Sequence, residues 1–321
     1  MIKKIAVLTS GGDAPGMNAA IRAVVRAGRY FNLEVVGIHE GYKGLVEGGE
    51  NYETMSRRSV TDIIARGGTI LGSARLPEFP DPAVRDKGIQ TLKDNNIDAL
   101  IVIGGDGTYA GAQRLHTCGI KTIGLPGTID NDIANTDYTI GFDTCVNTVV
   151  EAIDKLRDTC GSHKRCAVVE VMGRYCGDIA RAAGLATGAE FIVTNTENND
   201  LQTILDKTKN LKESNKRHPV IIVTEHLFNV VELAKQIEDY SGMETRATIL
   251  GHIQRGGKPS SYDRILASRL GLAAVEMLMD GKSGVCLGIQ SNNIVATPFE
   301  EVIGKSKNLF EDYVEFIKIL S

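Results

Sequence analysis

The sequence contains no apolar run long enough to cross a membrane. Its longer apolar stretches, such as 99–103 and 220–223, are brief, whereas a membrane-spanning helix needs about 20 consecutive apolar residues. Residues Met1 to Ile5 include two lysines, and a Gly-Gly-Asp turn follows soon after them, without the apolar region or cleavage site of a secretory signal. We therefore predict no membrane segment and expect a cytoplasmic protein.

Motifs for disulfides and structural metals are missing as well. The six cysteines include no Cys-x-x-Cys pair, and the six histidines include no His-Glu-x-x-His motif. In a chain of 321 residues, scattered cysteines are more typical of reduced thiols than of disulfides or zinc ligands. We predict no structural metal site.

A strong charge of one sign is also absent. The net charge is -4, and the composition of 42% apolar and 24% charged residues is ordinary for a globular protein. This balance gives no overall attraction to nucleic acid or to an anionic membrane, so any anionic ligand must be held by a local cluster of basic side chains and backbone N–H groups. The length suffices for two domains.

Short apolar runs alternate with amphipathic patterns along most of the chain. The runs predict strands at 4–8, 33–38, 99–103, 121–125, 165–170, 191–194, 220–224 and 284–289, and the patterns predict helices that include 18–29, 81–95 and 146–159. This alternation predicts an α/β fold with mainly parallel sheets. In such sheets ligands bind beyond the carboxyl ends of strands, where this chain has loops rich in glycine and aspartate.

The first of these loops reads TSGGDAPGMN. Gly11 and Gly16 have the glycine spacing of a phosphate-binding P-loop, but Met17 and Asn18 stand where that motif has lysine and serine or threonine. A turn that opens a helix offers backbone N–H groups and a positive dipole to an anion, although a tight turn without a ligand fits the residues equally well. If the turn holds phosphate, the positive charge must come from other residues.

A second loop, IGGDGTYAGA, repeats this design. Gly105, Gly107 and Ala110 match a relaxed dinucleotide fingerprint, which makes NAD binding a competing interpretation. The fingerprint requires an acidic residue at the end of the next strand, whereas here that strand runs into Pro126. We favour Asp106 as a ligand for Mg2+ on a nucleoside triphosphate, with a helix-capping aspartate as the alternative.

The third loop, LPGTIDND, places Asp130 and Asp132 two residues apart. Such a pair could supply a base toward a hydroxyl and a group that faces a metal, and a plain Asx-turn is the alternative. Basic residues also cluster. His252 and Arg255 lie in GHIQRGG, where neighbouring glycines would let an anion approach the backbone.

The motifs LTSGGDAPGMNAAIR, RGGTILGSAR, IGGDGTYAGA, LPGTIDNDI, VEVMGRYCGD, VTEH, ETRATILGHIQRGG and YDRILASR resemble those of the bacterial ATP-dependent 6-phosphofructokinases. The similarity extends from Lys3 to about Gly288. It implies two Rossmann-like three-layer α/β/α lobes with an active-site cleft between them. We expect an ATP-binding lobe at 1–140 plus 253–303 and a fructose 6-phosphate-binding lobe at 141–252 plus 304–321.

The resemblance implies transfer of the γ-phosphoryl group of MgATP to the 1-hydroxyl of fructose 6-phosphate. Asp130 would be the base, Arg75 the cation facing the transferring phosphoryl group, and Asp132 a support for the metal or the base. Thr128 and Arg174 would face the transition state. The implied ATP-binding residues are Gly12, Arg75, Leu76, Gly105, Asp106, Gly107 and Thr108, with Asp106 on Mg2+. Leu76 stands where relatives have phenylalanine, which would loosen packing around adenine.

The resemblance also implies a homotetramer with shared sugar-phosphate sites. His252 and Arg255 would come from one subunit, and Arg165 and Arg246 would reach across from a neighbour, so we expect cooperativity in fructose 6-phosphate. The remaining implied substrate contacts are Thr128, Ile129, Asp130, Met172, Gly173, Arg174, Glu225, Ile253 and Gln254.

Pyrophosphate-dependent members of the family replace two glycines of these motifs with aspartate and lysine. This chain keeps both, as Gly107 and Gly127, and an aspartate at 107 would repel an α-phosphate. ATP is therefore the expected phosphoryl donor.

An effector site for ADP as activator or phosphoenolpyruvate as inhibitor is implied as well. Its residues would be Arg22, Arg26, Arg57, Arg58, Ser59, Val60, Thr61, Asp62, Arg157, Gly188, Ala189, Glu190, Ser214, Lys216, Arg217 and His218. Ser214 stands where better-known members carry lysine, and Arg58 where some carry an aromatic residue, so we expect altered strength or selectivity.

Two other functions remain open. NAD kinases and lipid kinases share the GGDG turn, but that interpretation gives no role to TIDND, MGR or GHIQRGG. A nucleotide-sensing protein without chemistry would not be expected to keep Asp106, Asp130, Arg75 and Arg174 together.

Overall fold

The computed structural model describes residues 2–197, 200–305, 307 and 309–321. Packing divides the chain into two compact units, which we call unit 1 (Met1–Ile129, Ile133–Thr144 and Arg255–Lys307) and unit 2 (Asp130–Asp132, Cys145–Gln254 and Asn308–Ser321). This division differs by a few residues at each crossing from the lobe borders expected above. Which unit binds which substrate stays a prediction.

The elements alternate along the chain. The strands are β1 (Lys4–Thr9), β2 (Glu34–Ile38), β3 (Tyr52–Met55), β4 (Ala99–Gly104), β5 (Lys121–Pro126), β6 (Cys166–Val171), β7 (Phe191–Val193), β8 (Val220–Thr224), β9 (Thr245–Ile249), β10 (Val285–Gln290) and β11 (Asn293–Pro298). The helices are α1 (Met17–Tyr30), α2 (Gly41–Glu47), α3 (Pro82–Asp94), α4 (Asp106–Thr117), α5 (Phe142–His163), α6 (Asp178–Thr187), α7 (Leu201–Glu213), α8 (Val230–Ser241), α9 (Ser261–Met279) and α10 (Asp312–Leu320). Short 3-10 helices cover Gly49–Asn51, Gly251–Arg255 and Phe299–Glu301.

In unit 1 the described strands form a sheet in the order β11-β10-β5-β4-β1-β2-β3. Its inner strands are parallel, and β3 and β11 lie antiparallel at the two edges. Alternate residues point to opposite faces. One face packs Leu8 and Val102 against a cluster that includes α2, α3 and α4, and α1 covers the other face, where a Cβ on Gly28 would meet Ile5 and Val35.

Unit 2 contains a parallel sheet in the order β7-β8-β6-β9. One face packs Val168 and Ile221 against side chains of α7 and α8. The opposite face is covered by α6 and α10, because a Cβ on Gly184 would meet Ile192 and Ile317. The predicted α/β class with mainly parallel sheets is confirmed, and each predicted strand overlaps an observed one. Among the described helices, none is both long and apolar enough to span a bilayer.

Candidate active site

The two glycine-rich loops predicted to hold phosphate lie side by side in unit 1. The Ser10 backbone N–H donates to the Ile103 carbonyl at 3.0 Å. The buried Thr108 hydroxyl donates to the Ser10 carbonyl at 3.0 Å. These bonds tie the loop that follows β1 to the loop that opens α4. The Thr108 hydroxyl therefore helps to hold the two loops together.

Asp106 is the first residue of α4 and is half-buried. One of its carboxylate oxygens accepts the Gly304 backbone N–H at 3.0 Å. A Cβ on the next residue, Gly107, would meet no atom within 4 Å. The start of α4 thus combines helix N–H groups, a carboxylate and open space beside Gly107, which suits the binding of a phosphate chain.

A pocket of about 370 Å³ in unit 1 is lined by Gly11, Gly12, Asp13, Thr69, Ser73, Arg75 and Arg255. A Cβ on Gly12 would lie 3.3 Å from the guanidinium carbon of Arg255. The pocket therefore joins Gly12 and Arg75, predicted to act on ATP, with Arg255, predicted to bind the sugar phosphate. Among the ion pairs of the described residues, none involves Arg75 or Arg255, so both can serve an anion.

Four lining residues were not predicted as site residues: Gly11, Asp13, Thr69 and Ser73. Each lies inside one of the glycine-rich motifs quoted above. Their positions within TSGGDAPG and RGGTILGSAR were a signal, but nothing local in the sequence says that these two segments meet.

The segment after β5 leaves no room for a side chain at Gly127. A Cβ there would lie 2.9 Å from the Ile103 side chain and 3.1 Å from the Met17 methyl group. The Gly127 N–H donates to the Gly104 carbonyl at 3.0 Å. Thr128 follows directly, while the Ile129 side chain is buried, so Ile129 can offer only its backbone to a ligand.

In unit 2 the Asp130–Asp132 turn is fixed through its central residue. Asn131 is fully buried with a left-handed φ of 57°, a conformation that asparagine tolerates. Its side-chain amide donates to Asp178 at 3.0 Å, and the buried Asp178 also accepts from Arg181 at 3.2 Å. This buried network holds the backbone between the two candidate carboxylates.

Arg174 sits on a strained turn after β6. Gly173 has φ of 130°, a Cβ there would lie 2.4 Å from the Cys176 carbonyl oxygen, and Arg174 itself has φ of 55°. The Glu225 carboxylate accepts the Arg174 backbone N–H at 2.9 Å. Non-glycine residues rarely adopt this backbone, and such strain clusters at functional sites. Glu225 therefore holds the backbone of the predicted transition-state arginine.

Met172 and Gln254 are joined within unit 2. The buried Gln254 amide oxygen accepts the Met172 N–H at 3.1 Å, and its amide nitrogen donates to the Gly251 carbonyl at 3.0 Å. The side-chain oxygen and nitrogen of Gln254, a predicted substrate contact, therefore both have partners within the protein. The neighbouring His252 and Ile253 are exposed.

Arg165 and Arg246 meet at the amino ends of β6 and β9. Both pair with Glu244, and the Arg165 contact is 2.8 Å. The Arg165 guanidinium, 2.8 Å away, holds the pKa of Glu244 below its usual value. Arg174 and Glu225 instead follow the carboxyl ends of β6 and β8. At about 3.3 Å per residue, the six-residue β6 separates these two ends by about 17 Å.

The unit 2 part of the predicted effector site is gathered around Glu190. This buried carboxylate pairs with Lys216 at 3.0 Å. Arg157 donates to the Gly188 carbonyl at 2.6 Å, and a Cβ on Gly161 of α5 would lie 3.7 Å from His218. Arg217 and Ser214 are exposed, and Ala189 is buried.

The unit 1 part contains exposed basic residues on two elements. Arg57 and Arg58 are exposed in the turn after β3. On α1, burial lowers the pKa of Arg22, and the neighbouring charge of Arg26 adds to this shift. Val60 is completely buried, so its side chain faces the protein interior. The other predicted residues of this turn are half-buried or exposed: Ser59, Thr61 and Asp62.

Comparison with known proteins places the chain in a family. A family model described as phosphofructokinase matches residues 4–278. The chain is 54% identical to the ATP-dependent 6-phosphofructokinase of Edwardsiella ictaluri and 55% identical to that of Serratia proteamaculans, covering 100% of this chain and 100% of each relative. The crystal structure of Pichia pastoris phosphofructokinase in the T-state superposes with a TM-score of 0.88 at 35% identity, over 99% of this chain and 37% of that chain. The chain belongs to the phosphofructokinase family.

Proposed function

We propose that the chain transfers the γ-phosphoryl group of ATP to the 1-hydroxyl of fructose 6-phosphate, a step of glycolysis in the cytoplasm. The observation that carries this proposal is the unit 1 pocket in which Gly12, Arg75 and Arg255 meet. Full-length relatives at 54% and 55% identity are named for this activity. The alternative kinases that share GGDG give no role to the Arg255 motif.

Phosphoryl transfer mainly needs positioning and stabilisation of charge. Asp130 acts as the base that accepts the proton of the sugar hydroxyl. Arg75 and Arg174 stabilise the charge that spreads over the transferring group. Thr128 orients that group, and Asp132 supports the turn that carries the base.

Asp106 has the chemistry to hold Mg2+ with the nucleotide. Mg2+ in such sites takes one or two carboxylates and completes its shell with phosphate oxygens and water. Within the described residues no cluster of three or more acidic, His or Cys side chains could hold a metal alone, which suits a metal that arrives with ATP. When bound, it neutralises charge on the phosphates.

ATP is the proposed donor rather than pyrophosphate. A Cβ on Gly107 would meet no atom within 4 Å, so the start of α4 is open toward a nucleotide, whereas the filled space beside Gly127 leaves no room for a lysine. Leu76 packs partly against the core cluster of unit 1 and offers a smaller apolar surface to adenine than an aromatic ring would.

We assign sugar-phosphate binding to two copies of the chain. Arg165 and Arg246 lie at the opposite end of the unit 2 sheet from Arg174, about 17 Å along β6 at about 3.3 Å per residue, which favours separate sites for the two groups. We assign Arg165 and Arg246 to the neighbouring subunit's site in a homotetramer. His252 and Arg255 bind the phosphate from within the chain, because arginine forms paired hydrogen bonds to phosphate.

Allosteric control by ADP and phosphoenolpyruvate is part of the proposal. The exposed Arg57 and Arg58 and the α1 pair Arg22 and Arg26 supply positive charge for an anionic effector. In unit 2, Lys216 already pairs with Glu190, which weakens its attraction for phosphate. The Pichia pastoris relative is described in the T-state, which supports control by two states in this family.

The test is a coupled assay of ADP release with fructose 6-phosphate, other sugar phosphates, NAD and no acceptor. We expect release that depends on fructose 6-phosphate and rises sigmoidally with its concentration. ADP release that is the same without any sugar phosphate would refute the proposal, and release only with NAD would favour the NAD-kinase alternative.

A further inference from the structure

The segment that carries Arg75 into the unit 1 pocket is held by the side chain of Asn18. This asparagine is 1% exposed and stands where a P-loop would have its serine or threonine. Its amide nitrogen donates to the Arg66 and Gly67 carbonyls at 3.1 and 3.2 Å. Its amide oxygen accepts the Ile70 N–H at 2.7 Å. All three bonds reach across about fifty residues of sequence to one short segment.

Two further hydroxyl groups hold the end of the same segment. The buried Thr9 hydroxyl lies 2.8 Å from the Thr69 hydroxyl and donates to the Gly72 carbonyl at 2.8 Å. The Ser73 hydroxyl donates to the Gly11 carbonyl at 2.6 Å. The segment 66–73 is therefore bound to the start of α1 at one end and to the end of β1 and the turn after it at the other, and Arg75 follows two residues later.

The segment cannot easily slide out of this position. A Cβ on Gly67 would lie 2.3 Å from the Gly257 carbonyl oxygen, and one on Gly72 would lie 2.4 Å from a Glu40 carboxylate oxygen. The backbone of the segment 66–73 thus packs closely against neighbouring groups at both Gly67 and Gly72. What fixes its register is the set of hydrogen bonds that Asn18 and Thr9 make.

We propose that Asn18 is a positioning residue that sets the place of Arg75 in the pocket. In a P-loop the cation is a lysine at the end of the glycine-rich turn. Here the side-chain amide of Asn18, one position after the place of that lysine, holds the segment 66–73, and the cation is Arg75, which follows that segment. This inference rests on the role given to Arg75 in the proposed function. Displacement of a reacting group by about 1 Å can cost about 100-fold in rate, so small shifts of this segment matter.

The test is a double-mutant cycle of Asn18→Ala and Arg75→Ala, in which ADP release measures the activity of each variant. Asn18→Ala alone should lower kcat about 10- to 100-fold and leave the KM for fructose 6-phosphate within about 2-fold, because none of the three bonds that Asn18 makes involves a residue predicted to bind the sugar. In the Arg75→Ala background the same change should cost less than about 3-fold further. Hydrogen exchange at the Ile70 amide should accelerate in Asn18→Ala, since its acceptor is gone.

The matched control is Asn135→Ala in the same unit. Asn135 is 4% exposed and donates to the Cys286 carbonyl at 3.1 Å, so its loss should reduce stability and leave kcat and Ile70 exchange unchanged. If Asn18→Ala does not fold, Thr9→Val replaces it in the same cycle. If the kcat loss in the double variant equals the product of the two single losses, the positioning role of Asn18 is overturned, while the role of Arg75 stands. An unchanged kcat in Arg75→Ala would overturn the role of Arg75, and the positioning proposal with it.

Discussion

A negative charge at position 107 should abolish tight ATP binding without harming the fold. A Cβ on Gly107 meets no atom within 4 Å, so Gly107→Asp adds no steric strain. Position 107 also lies in the first turn of α4, where a carboxylate is stabilising by about 0.3–1 kcal/mol. The free energy of unfolding should therefore stay the same or rise slightly.

The binding penalty follows from the charges. Two unit charges about 6 Å apart at an effective dielectric constant near 20 repel by about 3 kcal/mol, which is roughly a 100-fold loss of affinity for a phosphate placed at the start of α4. We expect the KM for ATP to rise by about that factor, while the KM for fructose 6-phosphate changes little. Steady-state ADP release measures both, and urea unfolding measures stability.

The isosteric control Gly107→Asn separates charge from size. Asparagine fills the same space without the negative charge, so its KM for ATP should rise far less than that of Gly107→Asp. Equal effects of the two variants would show that bulk rather than charge disturbs the site. An unchanged KM for ATP in Gly107→Asp would refute the placement of the phosphates at the start of α4.

Three more predictions follow from single residues. Gly127→Ala should lower the free energy of unfolding in urea by about 1–3 kcal/mol, because its Cβ would lie 2.9 Å from Ile103, and an unchanged midpoint would contradict this. Asp130→Ser should lower kcat by about 100- to 10,000-fold with little change in either KM in the ADP-release assay, since it removes the base and leaves the anchors; an equal loss of fructose 6-phosphate affinity would count against that role. Burial raises the pKa of Asp263 from 3.8 to about 6 despite its hydrogen bonds from Thr144 and Gly141. The folded protein therefore holds this proton more tightly, and the stability that Asp263 contributes is complete below about pH 4 and lost as pH rises through about 6. Relative to the non-titrating Asp263→Asn, the parent should lose about 2 kcal/mol of unfolding free energy between pH 4 and 7; a difference that stays constant with pH would show that Asp263 titrates normally.

The predicted strands share one physical property. Runs such as 99–103 and 220–224 are buried on both faces, so they read as continuous apolar segments. The three strands that sequence reasoning missed, β3, β9 and β11, all lie at sheet edges. Their residues are largely half-buried or exposed and carry polar side chains, which leaves little apolar signal to detect.

The candidate site divides in a similar way. Glycine-rich loops at strand ends could be predicted because their composition and spacing are local. The roles of Asn18, Asp178 and Ser73 could not, because each acts through a partner about fifty or sixty residues away. Only the packing of the folded chain decides which buried amide or hydroxyl meets which backbone group.

The arginines at the two ends of the unit 2 sheet differ in whether they form ion pairs within the chain. Arg174 takes part in none of the ion pairs among the described residues, whereas Arg165 and Arg246 both pair with Glu244. A glutamate is ordinarily charged at neutral pH, and the neighbouring Arg165 lowers the pKa of Glu244 further. A phosphate that binds Arg165 and Arg246 must compete with it. On the proposed assignment of a sugar phosphate to this end, binding would exchange one anion for another, and the affinity would reflect the difference between phosphate and Glu244 as partners.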